Sequence, residues 1–229
     1  MRDVSKFLSG FKRFQHNYLG ARRGYYDSLI REGQHPRALV IACCDSRCDP
    51  ALLMDSDPGD MFVVRNVANL VPPHTQAGSF AGTTSAIAFA VRNLEVEHII
   101  VMGHAQCGGI RALMAHQPPS CNEDELIAKW LSIAGDARNK VLQELPDRSL
   151  EMQARACEQA AILVSLDNLM SFPWIRNLVE TGKLLLHGWY FDMVNGELLQ
   201  YEPEAGEFRA LVAQGVGKST AHLWWNSPG

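Results

Sequence analysis

The chain has 229 residues, 47% of them hydrophobic and 20% charged, which suits one substantial core and excludes a disordered chain. A formal net charge of -4 argues against nucleic acid or an anionic membrane as partner, and no apolar run reaches the length of a bilayer span. Six cysteines lack the spacing of a disulfide framework and no secretory leader is evident, so a cytoplasmic location is expected.

In chain order, Phe7, Phe11, Phe14 and Tyr18 recur at helical spacing among Lys6, Lys12, Arg13, Arg22 and Arg23. The spacing predicts a helical arm over 4–30. A basic amphipathic start could also be a transit peptide, but a packing helix is the simpler reading. Strands are predicted at 37–43, 61–65, 99–104 and 184–192. Helices are predicted at 79–94, 109–116, 123–145 and 150–171, with Pro173 opening a short helix that ends near Gly182. Asn195-Gly196 signals a hairpin, so 197–201 should pair antiparallel to the strand before it. Alternating strands and helices imply an α/β fold. The expected architecture is a mostly parallel sheet of four strands plus an antiparallel edge strand, flanked by helices. One domain is expected: an arm at 1–33, an α/β core at 34–203 and a tail at 204–229. Gly215-Val216-Gly217-Lys218-Ser219-Thr220 resembles the end of a phosphate-binding loop, but Val212 stands where that loop needs glycine. A polar tail anchored by Trp224 and Trp225 is the better reading.

Two segments carry the chemistry: Cys43-Cys44-Asp45-Ser46-Arg47 and His104-Ala105-Gln106-Cys107-Gly108-Gly109. Each follows an apolar run that reads as a buried strand. In open parallel sheets, ligands bind at the carboxyl ends of strands. Two thiolates and an imidazole are good zinc ligands, and three protein ligands leave an open position, the mark of catalytic zinc. Side chains alternate along a strand, so Cys43, Asp45 and Arg47 share a side while Cys44 and Ser46 face away. Cys43 is therefore the better ligand. A helix opening at Gly108-Gly109 favours a thiolate at Cys107.

Cys43-x-Asp45-Ser46-Arg47, then Arg65-Asn66-Val67-Ala68-Asn69, then His104-x-x-Cys107-Gly108-Gly109 resembles the β-class carbonic anhydrases in order and separation. The similarity runs from about Gln34 to the strand near Trp189. It implies one Zn2+ per chain held by Cys43, His104 and Cys107, with Asp45 and Arg47 as a catalytic dyad. The implied activity is reversible hydration of carbon dioxide to bicarbonate and a proton by a zinc-bound hydroxide, in a homodimer or homotetramer. Two thiolates cancel the charge on zinc, so activity should rise above neutral pH. Arg47 can hold Asp45 off the metal by a charge-assisted pair. Cys44 stands where the family usually has a small residue.

Phe62, Val67 and Phe89 match pocket positions of the plant-type branch, where Phe89 replaces a tyrosine. Gln34 matches a glutamine that contacts a substrate oxygen, and the N–H of Gly108 could do the same. In the family, Gln34 and some pocket residues are contributed across a subunit boundary. Val40 and Phe191 stand where bacterial members with an inhibitory bicarbonate site have tryptophan and tyrosine, so that site should be absent although Arg65 is kept. His74 is a candidate proton shuttle, with an idle loop histidine as the plainer reading. The alternatives are a hydrolase of carbon disulfide or carbonyl sulfide, and a non-catalytic zinc- or bicarbonate-binding protein. A thiol-phosphatase reading fails because Cys43 and Arg47 are too close for a phosphate loop.

Overall fold

The computed structural model describes residues 4–115 and 125–212. The described residues form a six-stranded sheet whose strands are β1 (Ala38–Cys43), β2 (Met61–Asn66), β3 (His98–His104), β4 (Leu185–Asp192), β5 (Glu197–Glu202) and β6 (Glu207–Val212). Their order is β2-β1-β3-β4-β5-β6. The first four in that order are parallel, and β5 and β6 add antiparallel pairs. In β1, Leu39, Val40, Ile41 and Ala42 are all fully buried, as befits a central parallel strand covered on both faces. The four parallel strands end on one side, which brings Cys43 level with Asn66 and His104 level with Phe191.

The helices are α1 (Ser5–Phe14), α2 (Arg23–Glu32), α3 (Pro50–Leu53), α4 (Ala81–Arg92), α5 (Gly108–Ala115), α6 (Glu125–Leu131), α7 (Gly135–Glu144), α8 (Leu150–Met170) and α9 (Pro173–Glu180). The main core lies between the sheet and α4, α8 and α9, around Ile41, Val101, Ile162, Tyr190 and Phe208. A second cluster packs α5, α7 and α8 around Cys43 and Cys107. Gly103 lets α8 lie close to β3. A Cβ there would sit 2.8 Å from Cδ1 of Ile162.

Three expectations change. The arm is not one helix: a wider π-type turn at Gln15–Ala21 separates α1 from α2. Arg22 leaves helical geometry there, with its guanidinium on Asp57 at 2.6 and 2.8 Å, and Tyr18 donates to the same carboxylate at 2.7 Å. The helix expected over 123–145 is broken by a tighter turn at Ser132–Ala134 between α6 and α7. The tail begins with a strand, β6, because Phe208 is buried against Tyr190 and Tyr201 at ring separations of 6.2 and 5.4 Å. The end of the helix expected at 109–116, the start of that at 123–145, the glycine-rich stretch 215–220, Trp224 and Trp225 lie outside the described residues.

Candidate metal centre

Cys43 is the last residue of β1, His104 the last of β3, and Cys107 follows a turn in which Gln106 has φ +58°. All three are buried, at 5%, 1% and 1% exposure, and their ligand atoms lie within 4.8 Å of one another. The sulfurs of Cys43 and Cys107 are 4.0 Å apart. Two Zn–S bonds at a tetrahedral angle place sulfurs about 3.8 Å apart. Nδ1 of His104 lies 2.9 Å from the carbonyl of Ala105, a bond that needs the ring proton on Nδ1. That leaves Nε2 as a lone pair, and Nε2 is buried without a hydrogen-bond partner. An orphaned acceptor between two thiols is costly unless it binds something. The donor set therefore fits zinc. The hydrogen bond from Cys107 pulls the Cys43 thiol down, and Cys107 is pushed up by the same bond.

Cys44 is exposed, as strand alternation required. Asp45 faces the ligands, with Oδ2 4.0 Å from Nε2 of His104. Arg47 grips it in a fork, Nε to Oδ1 at 2.9 Å and Nη2 to Oδ2 at 2.7 Å, and adds its backbone N–H at 3.0 Å. This guanidinium holds the Asp45 carboxyl down to about 2. Arg47 also donates to the carbonyl of Gln106 at 3.1 Å, tying the two ligand segments together.

Three further groups build the site. Arg65 reaches back from β2 to the carbonyls of Cys43 (2.9 Å) and Asp45 (2.6 Å) and to the carboxylate of Asp49 (2.7 Å). Glu158 on α8 is buried, accepting from the N–H of Cys107 at 2.9 Å and from the hydroxyl of Tyr190 at 2.8 Å. It lies one helical turn before Ile162, so the contact of Ile162 with Gly103 aims Glu158 at the ligand turn. Cys48 is buried beside Cys43, its thiol donating to the carbonyl of Asp45 at 3.3 Å, and the bond to Cys43 pushes it up, so it stays protonated. Sequence reading gave none of these three a role in the site.

Val67 and Gly108 lie at the ligand cluster. Val67 follows Asn66, the register partner of Cys43, and a Cβ on Gly109 would sit 2.8 Å from Cγ1 of Val67. Gln34, Phe62 and Phe89 do not join the zinc ligands of their own chain. Phe62 is level with Leu39, four residues before Cys43. That is about 13 Å along the strand. Phe89 packs on Phe62 at 5.9 Å. Gln34 precedes β1 altogether. His74 is also remote: its N–H binds Ser171 at the far end of α8, thirteen residues beyond Glu158. That spans about 20 Å of helix. Arg65 spends its donors on the protein, and Phe191 is only part-buried against the second core cluster.

The family profile described as carbonic anhydrase matches residues 38–198. Beta carbonic anhydrase 3 of Arabidopsis thaliana is 38% identical over 194 residues, 84% of this chain and 74% of that one. The structure of the β-carbonic anhydrase CcaA superposes with a TM-score of 0.83 at 32% identity, covering 92% of this chain and 93% of that one. Tetrameric β-carbonic anhydrases of Sordaria macrospora give a TM-score of 0.71 at 26% identity, covering 94% and 99%. This chain belongs to the β-carbonic anhydrases, zinc enzymes that reversibly hydrate carbon dioxide to bicarbonate.

Proposed function

We propose that Cys43, His104 and Cys107 hold the catalytic zinc of this carbonate dehydratase, and that Asp45 and Arg47 act on the reacting water as a dyad. The observation that carries this reading is the unpartnered Nε2 of His104, buried between the two thiols. Zinc supplies the Lewis acidity that lets a water molecule ionise near neutral pH. Asp45, held as a carboxylate by Arg47, accepts a hydrogen bond from the attacking oxygen and aims its lone pair at carbon dioxide. The Gly108 N–H stabilises a bicarbonate oxygen at the start of α5, and Val67 provides apolar surface for an apolar substrate.

Gln34, Phe62 and Phe89 serve the zinc site of a second subunit in this reading, so the active unit is at least a dimer. Two features support it: the strand distance of Phe62 from its own Cys43, and the exposure of Phe7 (74%), Leu8 (61%), Phe11 (57%) and Phe89 (44%). The free thiols of Cys43, Cys44, Cys48, Cys107 and Cys157 suit a reducing compartment such as the cytoplasm.

Zinc content and carbon dioxide hydration, measured on the same samples, test the ligand set. Cys43→Ser, His104→Ala and Cys107→Ser should each lose most zinc and activity, while Cys44→Ser keeps both. Full zinc stoichiometry in Cys107→Ser would sink the assignment.

A further inference from the structure

We propose that Trp130 is a positioning residue whose indole N–H, reaching from α6, sets the Val67 wall of the carbon dioxide site. This rests on the reading above that Val67 is that wall. The Nε1–H of Trp130 donates to the carbonyl of Val67 at 2.7 Å, a short bond between positions 63 residues apart. Phe80 braces the indole edge-on, with ring centroids 5.2 Å apart.

Val67 sits where such a hold matters. It opens a turn in which Ala68 and Asn69 have φ of +64° and +49°, and both are buried. Left-handed backbone is unfavourable for alanine, so such a turn persists only where its surroundings hold it. The Asn66 side chain closes it, accepting from the N–H of Leu70 and donating to the carbonyl of Leu70, each at 2.9 Å. Ser165 donates to the carbonyl of Asn69 at 3.5 Å. These bonds fix the turn around Val67, and the bond from Trp130 fixes Val67 itself. The Val67 side chain meets the first turn of α5, where a Cβ on Gly109 would sit 2.8 Å from its Cγ1. The same Cβ would sit 3.5 Å from Cδ2 of Leu131, the residue after Trp130. Val67 is thus held by its carbonyl to α6 and by its methyl against α5. None of these groups is a zinc ligand, so the wall can shift while the metal stays.

Two substitutions separate the donor from the ring. Trp130→Phe keeps an aromatic ring against Phe80 and loses the N–H. Trp130→His loses the benzo half of the indole but puts Nε2 where Nε1 stood, and with its proton there it keeps the donor. The test is steady-state hydration of carbon dioxide by the zinc-loaded, full-length protein. Trp130→Phe should lower kcat/KM about fivefold, chiefly by raising KM, with zinc content unchanged. Trp130→His should recover most of that loss, whereas a role confined to packing gives the opposite order. A double-mutant cycle with Val67→Ala tests the route. Once the Val67 side chain is gone, Trp130→Phe should add less than about twofold. Wild-type kcat/KM in Trp130→Phe, a weaker enzyme in Trp130→His than in Trp130→Phe, zinc lost in step with activity, or additive losses in the cycle would overturn the proposal and leave the wall reading standing. A Val67→Ala enzyme with wild-type kcat/KM would instead remove the wall reading, and the proposal with it.

Discussion

Replacing Arg65 with methionine should loosen the metal site without touching a ligand. The guanidinium makes three bonds, to the carbonyls of Cys43 and Asp45 and to Asp49. Hydrogen bonds from a charged donor contribute about 1.5–3 kcal/mol each. The Arg65 side chain is 26% exposed, so the low end applies, giving about 3 kcal/mol for the two carbonyls. The Asp49 carboxylate is 43% exposed, and such a pair adds at most about 1 kcal/mol. The expected loss is about 3–4 kcal/mol, or about 6–16 °C in Tm for a chain of this length. Arg65→Lys keeps the charge but has one nitrogen where arginine has three, so it should recover less than half. Scanning calorimetry of the zinc-loaded and zinc-free forms measures the stability, and a chelator competition measures zinc affinity. A larger Tm loss in the loaded form is expected, because the two carbonyls belong to the ligand Cys43 and to Asp45. An Arg65→Met protein with Tm within 2 °C of wild type and unchanged zinc affinity would refute the reasoning.

The Asp45 carboxyl, held at about 2 by Arg47, lies below its unfolded value, so its contribution to stability is present above about pH 4 and lost as pH falls toward 2. In zinc-free protein, Arg47→Gln should cost at most about 2 kcal/mol at neutral pH, and the difference from wild type should shrink on acidification through that window; a pH-independent difference counts against the pair. Phe11→Asp, on the exposed stripe of α1, should shift light-scattering mass toward the monomer and lower activity with it, whereas a fully active monomer would remove the case for shared sites. Bicarbonate should inhibit without cooperativity, since Arg65 is already committed and Val40 offers no donor; a sigmoidal inhibition curve would contradict this.

The parallel strands and their ends were legible because the apolar runs at 38–43 and 99–103 are unbroken, and the Asn195-Gly196 turn fixed the first antiparallel neighbour. The sixth strand was legible in principle. Phe208 and Ala210 alternate with Arg209 and Leu211 after a turn closed by Gly206 at φ +67°, a weak period-2 signal in a stretch read as polar. The break in the arm was not legible. Helical periodicity runs straight through Arg22, and only the position of Asp57 in the folded chain draws that side chain away.

For the candidate metal centre, the cluster of Cys43, His104 and Cys107 was readable because alternation and a two-residue gap are local. What fixes them is not local. Arg65 binds carbonyls 20 and 22 residues away, and carbonyls leave no mark on sequence. Glu158 meets the Cys107 N–H from 51 residues on, inside a helix whose apolar positions give no hint of a buried carboxylate. Both act on the backbone of a ligand segment rather than on a ligand atom. That division has a physical basis. A thiolate or imidazole can swing about its χ angles, so three ligands hold one geometry only when the chain carrying them is fixed. The guanidinium fixes Cys43 and Asp45 by their carbonyls, the carboxylate fixes Cys107 by its N–H, and Arg47 joins the two segments through the Gln106 carbonyl. Each clamp comes from a different element: β2, α8 and the loop after β1. The site therefore forms only when β2 pairs with β1 and α8 docks on β3, so zinc affinity should follow the integrity of the whole sheet rather than of the two motifs alone.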